Sequence, residues 1–69
     1  MTDISLSVNG EPRRVPAGST LAEVVAGVSG APSGVAAAVN EAVVPRGAWA
    51  GTALAAGDRV EILTAVQGG

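Results

Sequence analysis

The last two residues of the chain, Gly68 and Gly69, are the ones whose type and position predict chemistry. They follow a run that is typical of a strand, and they offer a carboxylate with no neighbouring side chain. An enzyme pocket can close around such a tail at little steric cost, because glycine has no Cβ and accepts backbone conformations that other residues avoid. The alternative is that two small residues stand at a frayed end by chance. The diglycine therefore predicts a C-terminus that another protein modifies.

The rest of the 69-residue chain holds no evident set of catalytic side chains. It has no cysteine and no histidine, so the usual nucleophile and base pairs and the usual zinc ligands are missing. The glycines of segment 29–34 do not form a phosphate-binding loop, because no Lys-Ser or Lys-Thr pair follows them. We expect a protein on which enzymes act, not an enzyme, with no metal and no bound cofactor of its own.

Charge and hydropathy exclude further classes of function. The formal net charge is −2 and all four cations are arginine. The only basic pair, Arg13-Arg14, would point to opposite faces of a strand, so we expect no nucleic-acid partner. The start of the chain shows no signal peptide, and no apolar run approaches the ~20 residues that cross a bilayer. We expect a cytoplasmic protein without a membrane partner.

The N-terminal part predicts a hairpin. Residues 3–8 alternate between apolar and polar side chains, which indicates a strand with one buried face. That face holds Ile4, Leu6 and Val8. Asn9 and Gly10 both tolerate positive φ and predict a tight turn. The returning strand, 11–15, contains Pro12, whose missing N–H places this strand at a sheet edge.

A capping box predicts that a helix begins after Thr20, because Glu23 follows three residues later. The apolar residues behind the box recur at i, i+3, i+4 and i+7, which is the spacing of one helix face: Leu21, Val24, Val25 and Val28. Valine lowers helix propensity, so we expect this helix to depend on packing against a sheet. The loop 29–34 ends it.

The second half predicts three more strands: 35–39, 42–44 and 59–66. The first of them contains three alanines that favour a helix equally. Trp49 lies in a loop or a single helical turn between the last two. In the last strand Val60 and Ile62 share the core face, whereas Leu63 and Ala65 share the opposite face. Together with the hairpin and the helix, these elements predict an α+β architecture of two layers.

This order of elements, with a C-terminal diglycine, resembles the β-grasp (ubiquitin-like) fold. The chain resembles more specifically the ThiS family, the sulfur carriers of thiamin (thiazole) biosynthesis in the ThiS/MoaD superfamily. The motifs that carry the resemblance are Val39-Asn40-Glu41, Val43-Val44-Pro45-Arg46, Trp49, Gly57-Asp58 and Ala65-Val66-Gln67-Gly68-Gly69. The resemblance implies one domain, 1–69, with four to five strands in a mixed sheet on one main helix. It also implies a flexible, extended tail over residues 66–69.

The resemblance implies the chemistry of the tail. An E1-like (ThiF-type) adenylyltransferase, using ATP and Mg, would activate the Gly69 carboxylate as an acyl-adenylate. A persulfide donor would convert the adenylate to a thiocarboxylate, and a ThiG-type thiazole synthase would take the sulfur. Adenylation is chemically sensible, because a C-terminal carboxylate is an anion at neutral pH and a poor electrophile. Gln67 and Gly68 would complete the tail that these enzymes bind.

Four residues are candidates for partner binding: Leu63, Ala65, Arg46 and Trp49. Leu63 and Ala65 lie on the face opposite the predicted core, so they would form an apolar docking patch beside the tail. Arg46 either pairs with an acidic partner or is solvated. Trp49 either anchors a partner or covers a thin core.

Other functions fit the same features. The chain could be the small subunit of molybdopterin synthase, or a thiocarboxylate carrier that supplies cysteine or a secondary metabolite with sulfur. A ubiquitin-like modifier, joined to target lysines through Gly69, is a different class. Because the chain has no lysine, such a modifier would not build lysine-linked polymers of itself. A plain binding module with an incidental diglycine is a third class.

Overall fold

The computed structural model describes residues 2–29 and 34–64, which form five strands, one α-helix and one 3-10 helix. Their bounds are β1 (Asp3–Val8), β2 (Glu11–Pro16), α1 (Leu21–Ser29), β3 (Val35–Val39), β4 (Ala42–Val44), the 3-10 helix (Arg46–Gly51) and β5 (Arg59–Thr64). The last strand, predicted for 59–66, is thus confirmed as far as Thr64. The predicted tail, 66–69, lies outside the described residues, and so does Ala65 of the predicted last strand.

The five strands form one mixed sheet in the order β2-β1-β5-β3-β4. β1 with β2 and β3 with β4 are antiparallel hairpins. β5 lies between the two hairpins, antiparallel to β3 and parallel to β1. The edge position of β2, predicted from Pro12, is confirmed, and so is the two-layer α+β architecture.

Both hairpins turn through two residues with positive φ. Asn9 and Gly10 have φ values of 53° and 85°, as the Asn-Gly signal predicted. Asn40 and Glu41 have φ values of 51° and 71°, so the second hairpin uses the same kind of turn. Glu41 is the unusual member, because glutamate, unlike glycine and asparagine, rarely occupies the left-handed region. The predicted strands 35–39 and 42–44 imply a turn at these two residues, but not this conformation.

The capping box of α1 is confirmed by two reciprocal hydrogen bonds. The Thr20 N–H donates to Glu23 Oε1 over 2.9 Å, and the Glu23 N–H donates to Thr20 Oγ1 over 3.3 Å. The prediction that Val28 lies on the buried face is wrong, since 37% of Val28 is exposed. Val28 is in the last turn of α1, where the opposing positions of β2 are Glu11 and Arg13. Because these exposed residues do not cover it, an open groove of about 190 Å³ remains there.

The core lies between the sheet and α1 and is extended by the segment after β4. Its buried apolar residues are Leu6, Val8, Val15, Leu21, Val24, Val25, Ala37, Trp49, Leu54, Val60 and Ile62. Trp49 is on the 3-10 helix and only 5% exposed. Its indole Nε1–H donates to the Val44 carbonyl over 2.8 Å. A buried indole usually finds such a partner, and the core-packing interpretation of Trp49 is confirmed.

Candidate functional site

β5 is the strand that leads to the diglycine, and its two faces differ sharply. Val60 and Ile62 are 1% and 5% exposed and belong to the core. Leu63 is 70% exposed on the other face. The predicted alternation along this strand is therefore confirmed for these residues. Ala65, predicted to share the face of Leu63, lies outside the described residues.

Leu63 is part of a larger apolar surface on the outer face of the sheet. The pairing of strands places Ala36 opposite Leu63 and Ala38 opposite Val43. Val43 is 78% exposed. We call these four residues, Ala36, Ala38, Val43 and Leu63, the outer-sheet patch. A shallow cleft of about 60 Å³ lies over it, with Glu61 at its margin.

The shape of the patch follows from the side chains on its three strands. β3 contributes two alanines in the middle, whereas β4 and β5 contribute the larger Val43 and Leu63 on either side. Small residues between large ones leave a depression, and α1 covers the opposite face of the sheet. Leu63 was predicted from the sequence, but Val43 was not. The missing signal was the register between β3 and β4, which brings Val43 next to the alanines. An exposed apolar surface of this kind is typical of interaction sites.

The other two partner-binding candidates have different surroundings. Arg46 is exposed at the start of the 3-10 helix and forms no ion pair with any residue of the ranges 2–29 and 34–64. Its role in binding stays a prediction. Trp49 requires a correction, because its ring is enclosed in the core and presents almost no surface to a partner. The tryptophan is a packing residue that holds the segment after β4 against the sheet.

The start of β5 is fixed by Asn40 and Asp58. The Asn40 N–H donates to the Arg59 carbonyl over 2.8 Å, and the Arg59 N–H donates to Asn40 Oδ1 over 3.0 Å. Asn40 Nδ2 also donates to Asp58 Oδ1 over 3.1 Å. The second carboxylate oxygen of Asp58 accepts from the Ala55 N–H over 2.8 Å. Asp58 therefore holds the turn before β5, and the side chain of Asn40 links its own turn to the start of β5.

Glu41 adds an ion pair with Arg59 near the start of β5. Its Oε2 lies 3.5 Å from Arg59 Nη2, and both side chains are largely exposed. An ion pair so open to water contributes little to stability.

The described part of the chain offers few other functional features. It contains no group of three or more acidic, cysteine or histidine residues that could bind a metal ion. None of its helices has the length and apolar character needed to cross a bilayer. The outer-sheet patch is the candidate site because it includes Leu63 on β5, the strand that leads to Gly69.

A five-stranded mixed sheet that packs one face on a single helix, with its last strand in the centre, defines a β-grasp, or ubiquitin-like, domain. The outer-sheet patch lies on the face of this sheet opposite α1, and its Leu63 is on the last described strand before the diglycine.

Comparison with known proteins identifies the family. A sequence model of the ThiS family matches residues 6–69, and the chain belongs to this family. The fold is similar to the crystal structure of the thiamine biosynthesis protein ThiS from Geobacter metallireducens, with a TM-score of 0.77 and 30% identity. That superposition covers 96% of this chain and 100% of the other.

The chain is also similar to part of a longer protein. It is 36% identical over 66 residues to a thiazole synthase from Magnetococcus marinus (strain MC-1). The alignment covers 96% of this chain but 20% of that relative, so the chain spans about a fifth of the relative's length.

Proposed function

We propose that this protein is a sulfur carrier in thiamin biosynthesis and that the carboxylate of Gly69 is its reacting group. The observation that carries the proposal is the ThiS family match, which extends from residue 6 through the diglycine. The match therefore includes the tail as well as the folded domain.

The proposed reaction has three steps. A carboxylate oxygen of Gly69 attacks the α-phosphorus of ATP, and pyrophosphate leaves to give an acyl-adenylate. The terminal sulfur of a persulfide donor then attacks the acyl carbon, and AMP leaves. A thiol cleaves the sulfur–sulfur bond, which leaves a thiocarboxylate on Gly69 and a disulfide on the donor side. The chain has no cysteine or histidine to catalyse these steps, so the enzymes that bind it supply the catalysis, ATP and Mg.

The outer-sheet patch is the proposed docking surface for these enzymes. Residues 65–69 are five in number and span at most about 18 Å when fully extended. An enzyme that holds Gly69 in its active site must therefore approach the end of β5, where Leu63 is exposed. Docking on the patch would make capture of the tail an intramolecular event, which raises its effective concentration.

The proposed acceptor of the sulfur is a ThiG-type thiazole synthase. The support is the relative from Magnetococcus marinus, which bears the name thiazole synthase and contains a segment similar to almost all of this chain. In that relative the segment is covalently joined to the remaining four-fifths of the protein. A ThiF-type adenylyltransferase and a persulfide donor complete the proposed set of partners.

Reconstitution with purified partners tests the proposal. The full chain and a variant that lacks Gly69 are each incubated with the adenylyltransferase, ATP, a persulfide donor and thiazole synthase, and thiazole formation is measured. We expect product with the full chain and none with the shortened one. Equal product from both would refute the carrier role. A parallel reaction replaces thiazole synthase by the large subunit of molybdopterin synthase. A productive complex with that subunit would show that the chain is the small subunit of molybdopterin synthase and not a carrier for thiazole formation.

A further inference from the structure

Three of the four prolines of the chain stand on the edge strands of the sheet or directly after one of them: Pro12, Pro16 and Pro45. A sheet edge presents a row of free N–H and C=O groups, to which another strand can be added. Which of these groups face outward is decided by the register of the hairpins.

On the β2 edge, the odd-numbered residues point their N–H groups toward β1. The ladder continues past the strand end, where the Ala17 N–H donates to the Thr2 carbonyl over 2.9 Å. Because the direction alternates along a strand, positions 12, 14 and 16 face outward. Two of these three positions are prolines, so Arg14 provides the single outward N–H of β2.

One of the outward-facing carbonyl groups of β2 already accepts hydrogen bonds from within the chain. The Pro16 carbonyl accepts from the Ser19 N–H over 3.1 Å and from Ser19 Oγ over 2.6 Å. An incoming strand would therefore find one complete donor and acceptor pair, at Arg14. The exposed guanidinium side chain of Arg14 further disfavours stacking of like-charged copies.

The β4 edge follows the same rule. The Asn40 N–H donates to the Arg59 carbonyl. The backbone N–H and C=O groups of even-numbered residues in β3 therefore point toward β5, and those of odd-numbered residues point toward β4. Ala37 pairs with Val44 on that side, which leaves Val43 facing outward. The next outward position is Pro45. The β4 edge thus also offers a single outward N–H.

We propose that Pro12, Pro16 and Pro45 close both edges of the sheet to the addition of a strand. Partners then bind through side chains on the sheet faces and through the C-terminus, and copies of the chain do not pair edge to edge. An antiparallel neighbour gains its stability from reciprocal bonds at every second residue, and neither edge provides two such positions in succession. This inference does not depend on the proposed sulfur chemistry.

The test restores the missing donors. The variant Pro12→Thr/Pro16→Thr regains two outward N–H groups, whereas the control Arg14→Thr introduces threonine on the same edge and restores none. Sedimentation velocity from micromolar to millimolar concentration measures association. Hydrogen exchange of the residue 14 amide reports whether the β2 edge takes part in it. We expect the double variant to approach twice the monomer mass, with concentration-dependent protection of that amide. We expect the wild type and Arg14→Thr to show neither.

A folded double variant that stays monomeric, with the residue 14 amide exchanging as in the wild type, would overturn the proposal. Concentration-dependent protection of that amide in the wild type or in the control would also overturn it. Far-UV circular dichroism and cooperative thermal unfolding establish that each variant is folded. If the double variant is unfolded, Pro45→Thr carries the same test at the β4 edge, with the Val43 amide as reporter and the same two outcomes.

Discussion

Asn9 and Ile62 lie 53 positions apart in sequence and are joined by two hydrogen bonds. Asn9 Nδ2 donates to the Ile62 carbonyl over 3.2 Å, and the Ile62 N–H donates to Asn9 Oδ1 over 2.8 Å. The amide side chain thus pairs with β5 as the peptide group of a neighbouring strand would. The backbone pairing of β1 with β5 covers Ser7 and Val8, and Asn9 extends it to the residue before Leu63.

The two hydrogen bonds between Asn9 and Ile62, which we call the Asn9 clamp, predict a measurable loss of stability in Asn9→Gly. Glycine accepts the positive φ of the turn and removes the two side-chain hydrogen bonds, and it adds some backbone freedom to the unfolded chain. The free energy of unfolding should fall by about 1–3 kcal/mol, since each such bond contributes about 0.5–1.5 kcal/mol net. Urea denaturation measures the change. An unaltered midpoint and slope would show that the Asn9 clamp contributes nothing.

The left-handed conformation of Glu41 predicts that a glycine substitution at this position is less destabilising than an alanine substitution. Glu41→Gly and Glu41→Ala both remove the exposed ion pair with Arg59, but only glycine accommodates a φ of 71° without strain. The glycine variant should be more stable than the alanine variant by about 1 kcal/mol. Thermal unfolding of the two proteins checks this difference. Equal stability, or a more stable alanine variant, would contradict the backbone argument.

The outer-sheet patch predicts that Leu63→Ser keeps the fold and weakens binding to the adenylyltransferase by about tenfold or more, which corresponds to about 1.4 kcal/mol or more. Leu63 is exposed on the outer-sheet patch, so its loss removes contact area without opening the core. Val28→Ser is the matched control, because Val28 is also an exposed apolar residue but lies on α1. Calorimetric titration measures both affinities. Unfolding of Leu63→Ser, or equal losses in both variants, would remove Leu63 from the docking surface.

The position of Gly69 at the reacting end predicts that Gly69→Ala folds normally but supports much less thiazole formation than the wild type. The added methyl group lies next to the carbon that must be attacked, and a pocket shaped around glycine has no space for it. The matched control is Gly27→Ala, which adds the same methyl group on α1, where an added Cβ would meet no atom within 4 Å. Thiazole formation and unfolding temperature are compared for both. Undiminished thiazole formation by Gly69→Ala would argue against a narrow channel for the tail.

Local patterns in the sequence predicted most of the elements. The alternation in 3–8, the Asn-Gly turn and the Thr20–Glu23 capping box each depend on residues close in sequence, and each is confirmed. The edge position of β2 was also predictable, because the missing N–H of Pro12 is a property of that residue alone and requires no knowledge of its neighbours in the sheet.

Errors arose where the outcome depended on a distant partner. Val28 fits the apolar face of α1, yet the opposing positions of β2 are Glu11 and Arg13, and these leave it partly exposed. Val43 was missed because only the register of β3 with β4 brings it next to the alanines. The side chains of Asn9 and Asn40 act on β5, which no turn signal could have shown.

The central claim is that the carboxylate of Gly69 is activated and then receives sulfur, and intact-mass spectrometry tests it most directly. The full chain is incubated with the adenylyltransferase and ATP, first without and then with a persulfide donor. We predict the added mass of an adenylyl group in the first sample and the replacement of one oxygen by one sulfur in the second, both located on the C-terminal peptide. A chain that stays at its original mass in both samples, while the same enzyme preparation modifies a known substrate, would contradict the account.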